Sequence, residues 1–229
     1  MISIIIPVFN EATQIGHLLH YLRQNSTGLV KEIIVVDGGS TDGTCNLLQK
    51  NTTINVLSSK KGRAKQMNTG ARAAQGEILY FLHADSYPPK HFDRMIVETT
   101  RKKGAHAGCF MLKFDTNHWW LRLMGRLTAI NHMSCRGGDQ SLFVDRTLFW
   151  SLGGFNERFI IYEDNDLIRK LYGAAKFNVI KKCLVTSSRK YDQMGVWKLQ
   201  WIYLQIYWKK RMGAGPEQLY QHYKRKIVF

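Results

Sequence analysis

The chain has 229 residues, 45% of them hydrophobic and 22% charged, ordinary values for one α/β domain with a sizeable core, and these exclude a disordered or fibrous chain. The unusual quantity is charge: 33 Lys and Arg against 17 Asp and Glu give a net +16. That surplus implies an anionic partner, whether nucleic acid, nucleotide phosphate or an acidic membrane face.

Ile2 to Val8 is a continuous apolar run, the pattern of a strand buried on both faces of a parallel sheet. Ile15, Leu18, Leu19 and Leu22 then recur at helical spacing and predict a helix over about 12–24. Glu32 to Asp37 repeats the buried-strand pattern and runs into Gly38-Gly39-Ser40, with a helix expected from Thr41-Asp42. Asn55 to Ser58 reads as a third strand, 63–75 as an Ala-rich helix, and Glu77 to His83 as a fourth strand before a helix opened by Pro88-Pro89. Beyond residue 104 the rhythm loosens. Strands are expected at Ala107–Phe114 and Ser141–Val144, and helices over 118–130, 164–172 and 196–211. Strands alternating with helices of about a dozen residues predict βαβ crossovers and an α/β fold with a mostly parallel central sheet flanked by helices. The simplest organisation is a domain over 1–185, with a basic, aromatic helical segment over 186–229 packed on it.

Cys45, Cys109, Cys135 and Cys183 are widely scattered without CxxC or zinc-type spacing. Neither a disulfide framework nor structural zinc is expected, and a reducing cytoplasm is the natural setting. The apolar start has no basic leader and breaks at Asn10-Glu11, unlike a signal sequence. No stretch approaches the roughly 20 apolar residues of a bilayer span. The expectation is a soluble cytoplasmic chain, or one resting at the inner face of a membrane.

Ligands of open α/β sheets bind beyond the carboxyl ends of the strands. Strand one delivers Asn10-Glu11 there, strand two Asp37 with Gly38 and Gly39, and strand four His83-Ala84-Asp85. Asp37 suits a nucleobase or ribose and Gly39 allows close backbone approach, but Asp37 equally suits capping the next turn. Gly38-Gly39 is no GxGxxG fingerprint, so a dinucleotide site is poorly supported. Asp85 suits Mg²⁺ or Mn²⁺, with His83 two residues before it; helix capping is the competing role. Glu163-Asp164 opens a helix, where acids favour the dipole, and either is also placed to be a general base.

Read together, Ile4-Ile5-Ile6-Pro7-Val8-Phe9-Asn10-Glu11, Val35-Val36-Asp37-Gly38-Gly39-Ser40-Thr41-Asp42-Gly43-Thr44, Phe81-Leu82-His83-Ala84-Asp85 and Glu163-Asp164 resemble the family 2 glycosyltransferases of GT-A fold, over roughly residues 1–185. Gly137-Gly138-Asp139-Gln140 with Gly153-Gly154-Phe155 resembles the small bacterial branch associated with arsenosugar-type biosynthesis. The resemblance implies an inverting enzyme that moves a sugar from a nucleotide-diphosphate donor to a hydroxyl acceptor, assisted by Mn²⁺ or Mg²⁺. It implies that Pro7, Asn10, Glu11, Asp37 and Gly39 line the nucleotide pocket and that Asp85 is the metal ligand of the D-x-D signature. Asp164 would be the base, beside Glu163, with Asp139 and Gln140 gripping sugar or acceptor. The chain departs from that signature at His83, where the first Asp commonly stands, which leaves one carboxylate for the ion. Arg63 and Lys65 are expected helpers at the departing diphosphate, with a solvated helix face an equal alternative for Lys65.

Residues 181 to 229 hold eleven Lys or Arg against two acids, a net +9. Trp197, Trp201, Leu204 and Trp208 form one helical stripe among Lys198, Lys209, Lys210 and Arg211. Core packing is the favoured reading of such a stripe; the alternative is an interfacial helix on anionic lipid that brings a lipid-linked acceptor to the cleft. Arg189, Lys190 or Arg211 could reach the diphosphate. A sugar nucleotidyltransferase would want a glycine-rich, Arg-containing loop after strand one, which Val8-Phe9-Asn10-Glu11 does not offer. A nucleic-acid-binding protein, suggested by charge alone, would want a binding module that the sequence does not display.

Overall fold

The computed structural model describes residues 1–227. Eight strands form one sheet: β1 (Ile2–Val8), β2 (Val30–Asp37), β3 (Asn55–Ser58), β4 (Ile78–Phe81), β5 (Ser86–Tyr87), β6 (Ala107–Phe114), β7 (Leu142–Asp145) and β8 (Phe177–Thr186). Their spatial order is β3-β2-β1-β4-β7-β6-β8-β5. β1 pairs in parallel with β2 and β4, and β2 with β3. β7 is inserted antiparallel between β4 and β6, and β8 lies parallel to β6.

Every residue of β1 is buried, as the unbroken apolar run requires. Alternation sends Ile4, Ile6 and Val8 to one face and Ile5 to the other. The first face packs on α1 (Ile15–Asn25), α4 (Phe92–Lys103), α5 (Trp119–Leu127) and α9 (Val196–Arg211); the second packs on α3 (Arg63–Ala73), α6 (Arg146–Ser151) and α7 (Glu163–Ala174). The remaining helices are α2 (Thr44–Gln49), α8 (Arg189–Met194) and α10 (Pro216–Ile227). A Cβ on Gly70 would stand 2.5 Å from Ile5 Cγ2, so a glycine lets α3 lie directly on the sheet.

Three differences from the expected elements have physical causes. β8 is absent from the sequence reading because Lys181 and Lys182 interrupt it. The β6–β8 register jumps there, with Phe110 opposite Ile180 but Met111 opposite Cys183, a bulge that spoils the strand period. α6 and α10 are likewise elements the pattern does not announce, one only six residues long and the other rich in Lys, Arg and Gln. The third concerns α9. Its buried residues are Leu199, Ile202 and Ile206, whereas Trp197, Trp201, Leu204 and Trp208 are 58%, 61%, 57% and 61% exposed. The aromatic stripe expected to pack on the core faces outward, because apolar residues run all round this helix and another face took the core.

Candidate active site

Two chambers adjoin at the carboxyl ends of β1, β4 and β8. The first, of about 390 Å³, is lined by Pro7 in β1 with Phe9 and Glu11 just after it, His83 and Asp85 after β4, Thr186 and Ser187 at the end of β8, and Arg189 and Lys190 at the start of α8. The second, of about 370 Å³, lies between α5, α7, α9 and the loop carrying Gly137 to Gln140. Arg63, Asp139, Lys190, Tyr191 and Tyr203 line both.

The first chamber is a charged one. Arg189 reaches Glu11 Oε1 at 3.4 Å, while Glu11 Oε2 is buried without a hydrogen-bond partner. Burial raises the Glu11 carboxyl above its ordinary range, with Arg189 opposing. Burial, then the charge of Asp139, raises Asp85 in the same way against the pull of Arg189. His83 Nδ1 stands 3.8 Å from Asp139 Oδ1. Burial and the cation of Arg63 nevertheless push the imidazole down to about 4, so it is neutral at neutral pH and keeps a lone pair to offer.

Arg63 opens α3 and crosses to the start of α7, donating from Nε to Glu163 Oε1 at 2.5 Å and pairing through Nη2 with Asp164 Oδ2 at 3.2 Å. Burial pushes the Asp164 carboxyl up to about 7; Glu163 and Asp139 add to this and Arg63 opposes it. Asp164 lines the second chamber. Gly138 lies so close that a Cβ there would be 2.0 Å from Asp164 Oδ2. Tyr162, just before α7, holds a left-handed φ of 74° with its ring 5.5 Å from that of Tyr207, so α9 braces the turn that presents Asp164.

The candidates therefore divide. Pro7, Glu11, Arg63, His83, Asp85 and Asp139 meet in the first chamber; Arg63, Asp139, Gln140 and Asp164 meet in the second. Glu163 is fully buried, lines neither chamber and holds Arg63. Asn10, Asp37 and Gly39 also lie outside the chamber lining and build the turn beside it. Asp37 accepts hydrogen bonds from the Gly39 and Ser40 amides and from Ser40 Oγ, and Asn10 Oδ1 accepts from the Thr41 amide at 2.8 Å. Lys65 and Arg211 line neither chamber. Gln140 spends its Oε1 on the Gly137 amide at 3.1 Å, which shapes the loop that carries Asp139.

Sequence reasoning passed over Tyr191, Gln200, Tyr203, Tyr207 and Tyr223 in the second chamber and Gln66 in the first. The spacing of Gln200, Tyr203 and Tyr207 on one side of α9 is a signal that the louder tryptophan stripe hides.

A divalent cation fits the first chamber in part. Asp85 and Asp139 are carboxylates whose mutual repulsion a cation would relieve, and His83 is neutral and able to ligate. Among the described residues no three His, Cys, Asp or Glu side chains are gathered as a ready ligand set, so diphosphate oxygens would complete the shell.

Comparison with known proteins bears on this geometry. The model of the family described as Glycosyl transferase family 2 matches residues 3–161. Glycosyltransferase AglE of Haloferax volcanii is 33% identical over 110 residues, covering 45% of this chain and 36% of AglE. Undecaprenyl-phosphate 4-deoxy-4-formamido-L-arabinose transferase of Proteus mirabilis is 28% identical over 151 residues, covering 62% of this chain and 45% of the relative. The chain thus spans less than half the length of these two relatives. The mannosyltransferase PcManGT of Pyrobaculum calidifontis, solved with GDP-Man and Mn²⁺, superposes with a TM-score of 0.68 at 20% identity over 99% of this chain and 70% of its own. The sheet and its flanking helices have the GT-A architecture. With a family match over more than half its length, the chain belongs to glycosyl transferase family 2.

Proposed function

We propose that the chain transfers a sugar from a nucleotide-diphosphate donor held in the first chamber to a hydroxyl acceptor held in the second, with inversion at the anomeric carbon. The observation that carries this reading is the position of Asp164. It is a carboxylate raised by burial, facing the second chamber, and tethered to an arginine that lines both. Ionised Asp164 takes the acceptor's hydroxyl proton as that oxygen attacks the anomeric carbon. The bond from that carbon to the diphosphate oxygen breaks, and the diphosphate leaves with the electron pair. One base and one displacement, without a covalent intermediate, invert the centre.

Charge developing on the diphosphate meets Arg63, Arg189 and Lys190, which all line the first chamber. Asp85, helped by Asp139 and His83, would hold Mn²⁺ or Mg²⁺, which when bound neutralises the same charge. Pro7 and Glu11 flank the nucleotide, with the turn of Asn10, Asp37 and Gly39 beside them. The mannosyltransferase solved with GDP-Man and Mn²⁺ supports both the donor class and the ion. The undecaprenyl-phosphate transferase supports an acceptor carried on a lipid, and with it a place at the inner face of a membrane.

The test is Asp164→Asn. Transfer is expected to fall by about three orders of magnitude or more while a nucleoside diphosphate still raises the melting temperature. Unimpaired turnover in that variant removes Asp164 from the base role.

A further inference from the structure

Beside the second chamber lies an apolar surface shared by α5 and α9. On α5, Trp119, Leu123, Leu127 and, just past the helix, Ile130 are exposed; on α9, Trp197, Trp201, Leu204 and Trp208 are exposed. The two stripes are continuous at their amino ends, where the Trp197 ring lies 5.2 Å from that of Trp120 and 6.1 Å from that of Trp119. Neither helix contains an acidic residue. Arg122 and Arg126 flank the stripe on α5, and Lys198, Lys209, Lys210 and Arg211 accompany the one on α9. α10, joined to α9 through His222 Nε2 and Gln205 Oε1 at 2.9 Å, adds Lys224, Arg225 and Lys226 in its last turn.

We infer that the α5–α9 face docks on an anionic bilayer. Tryptophan and leucine on one side with arginine and lysine around them is the composition of a helix lying in the headgroup region, and two such helices side by side make a plane. A protein partner would be expected to answer apolar area with shape, whereas arginine and lysine around an apolar face on two helices that carry no acid select a surface carrying many anionic charges. The position of the second chamber fits this occupant. Met124 and Leu127 of α5 and Tyr203, Ile206 and Tyr207 of α9 line it, so it lies between the docking helices. An acceptor hydroxyl borne on an amphiphile in the bilayer would enter there without leaving the lipid surface. This deepens the sugar-transfer reading and rests on it only for what the chamber receives; the docking stands on the surface alone.

Co-sedimentation of the full chain with vesicles tests it. Binding is expected to phosphatidylcholine vesicles containing phosphatidylglycerol, to be roughly tenfold weaker with phosphatidylcholine alone, and to weaken in about 0.5 M salt. Trp201→Ser with Trp208→Ser, and separately Arg122→Glu with Arg126→Glu, should each lower binding roughly tenfold while a nucleoside diphosphate still shifts the melting temperature. All four side chains are on the outer faces, and the charge pair serves if the tryptophan pair misfolds. Wild-type protein that ignores anionic vesicles, or both pairs of substitutions leaving vesicle binding unchanged, overturns docking. So does a dimer in sedimentation velocity that the tryptophan pair dissociates without vesicle binding, which would assign the face to a second copy of the chain. Vesicle binding without any nucleotide shift would overturn the transferase reading and leave docking in place.

Discussion

In the proposed base role, Asp164 carries two opposing demands. A base must be ionised, yet the first turn of α7 is buried beside Glu163 and Asp139, and burial holds its carboxyl at about 7. The sign follows: the rate should climb as pH passes 7 from below, and the acid limb of kcat should sit near that value instead of near the ordinary carboxylate range. A limb near 4 would mean that another group titrates. The same shift affects stability in the opposite sense. A folded-state value raised above the unfolded one means stability is fully present below about 4 and is lost as pH rises towards 7. Gly138 makes this position possible, since a Cβ there would lie 2.0 Å from Asp164 Oδ2 and 2.8 Å from its Cγ. Gly138→Ala is therefore expected to displace the carboxylate and lower kcat about a hundredfold, with nucleotide binding retained in a melting assay.

At the scale of elements, the second chamber depends on how α5 is attached. Gly125 lets it approach β6, where a Cβ would meet Leu112 O at 2.7 Å, and the helix ends at Thr128, whose hydroxyl accepts from the Leu112 amide at 2.8 Å. Arg136 then closes the loop that follows. It is buried and donates to the carbonyls of Thr128, Ile130 and His132 and to Cys109 Sγ, so a guanidinium ties together a segment whose backbone makes only local turn hydrogen bonds. Arg136→Met keeps much of the volume but strands the Thr128 carbonyl and takes one of the two donors from each of Ile130 O and His132 O. It should cost roughly 2–3 kcal/mol in denaturant unfolding. A variant of unchanged stability would show that the loop is held by other means. α9 is the three-sided counterpart: Leu199, Ile202 and Ile206 pack, Tyr203 and Tyr207 line the chamber, and the tryptophans face outward.

For the whole molecule, the sheet order explains why two chambers adjoin. Parallel β1, β2 and β4 end together and present Glu11, His83 and Asp85, while β8 brings Thr186 to the same edge and α8 begins just beyond it. Ligand occupying that edge binds the native state alone, so a nucleoside diphosphate should raise the melting temperature, more so with Mn²⁺. Asp85→Ala should remove the Mn²⁺-dependent part, and a chelator should do the same to wild type. Equal shifts with and without chelator would leave the diphosphate to Arg63, Arg189 and Lys190.

Much of this was legible in the chain. Buried parallel strands are continuous apolar runs, so β1 to β4 and the polar residues at their ends could be found from local pattern. Local pattern could not reach what long-range packing decides. Lys181 and Lys182 hide β8 because a bulge absorbs them, and Glu163 and Asp164 look equivalent until helix geometry buries both and turns only Asp164 to the chamber. Asp37 ends a strand as a ligand-binding acid would, yet neighbouring amides occupy its carboxylate. A helix apolar on every side states that it will bury something; only the neighbouring elements determine which side packs, which lines the chamber and which is left to face outward.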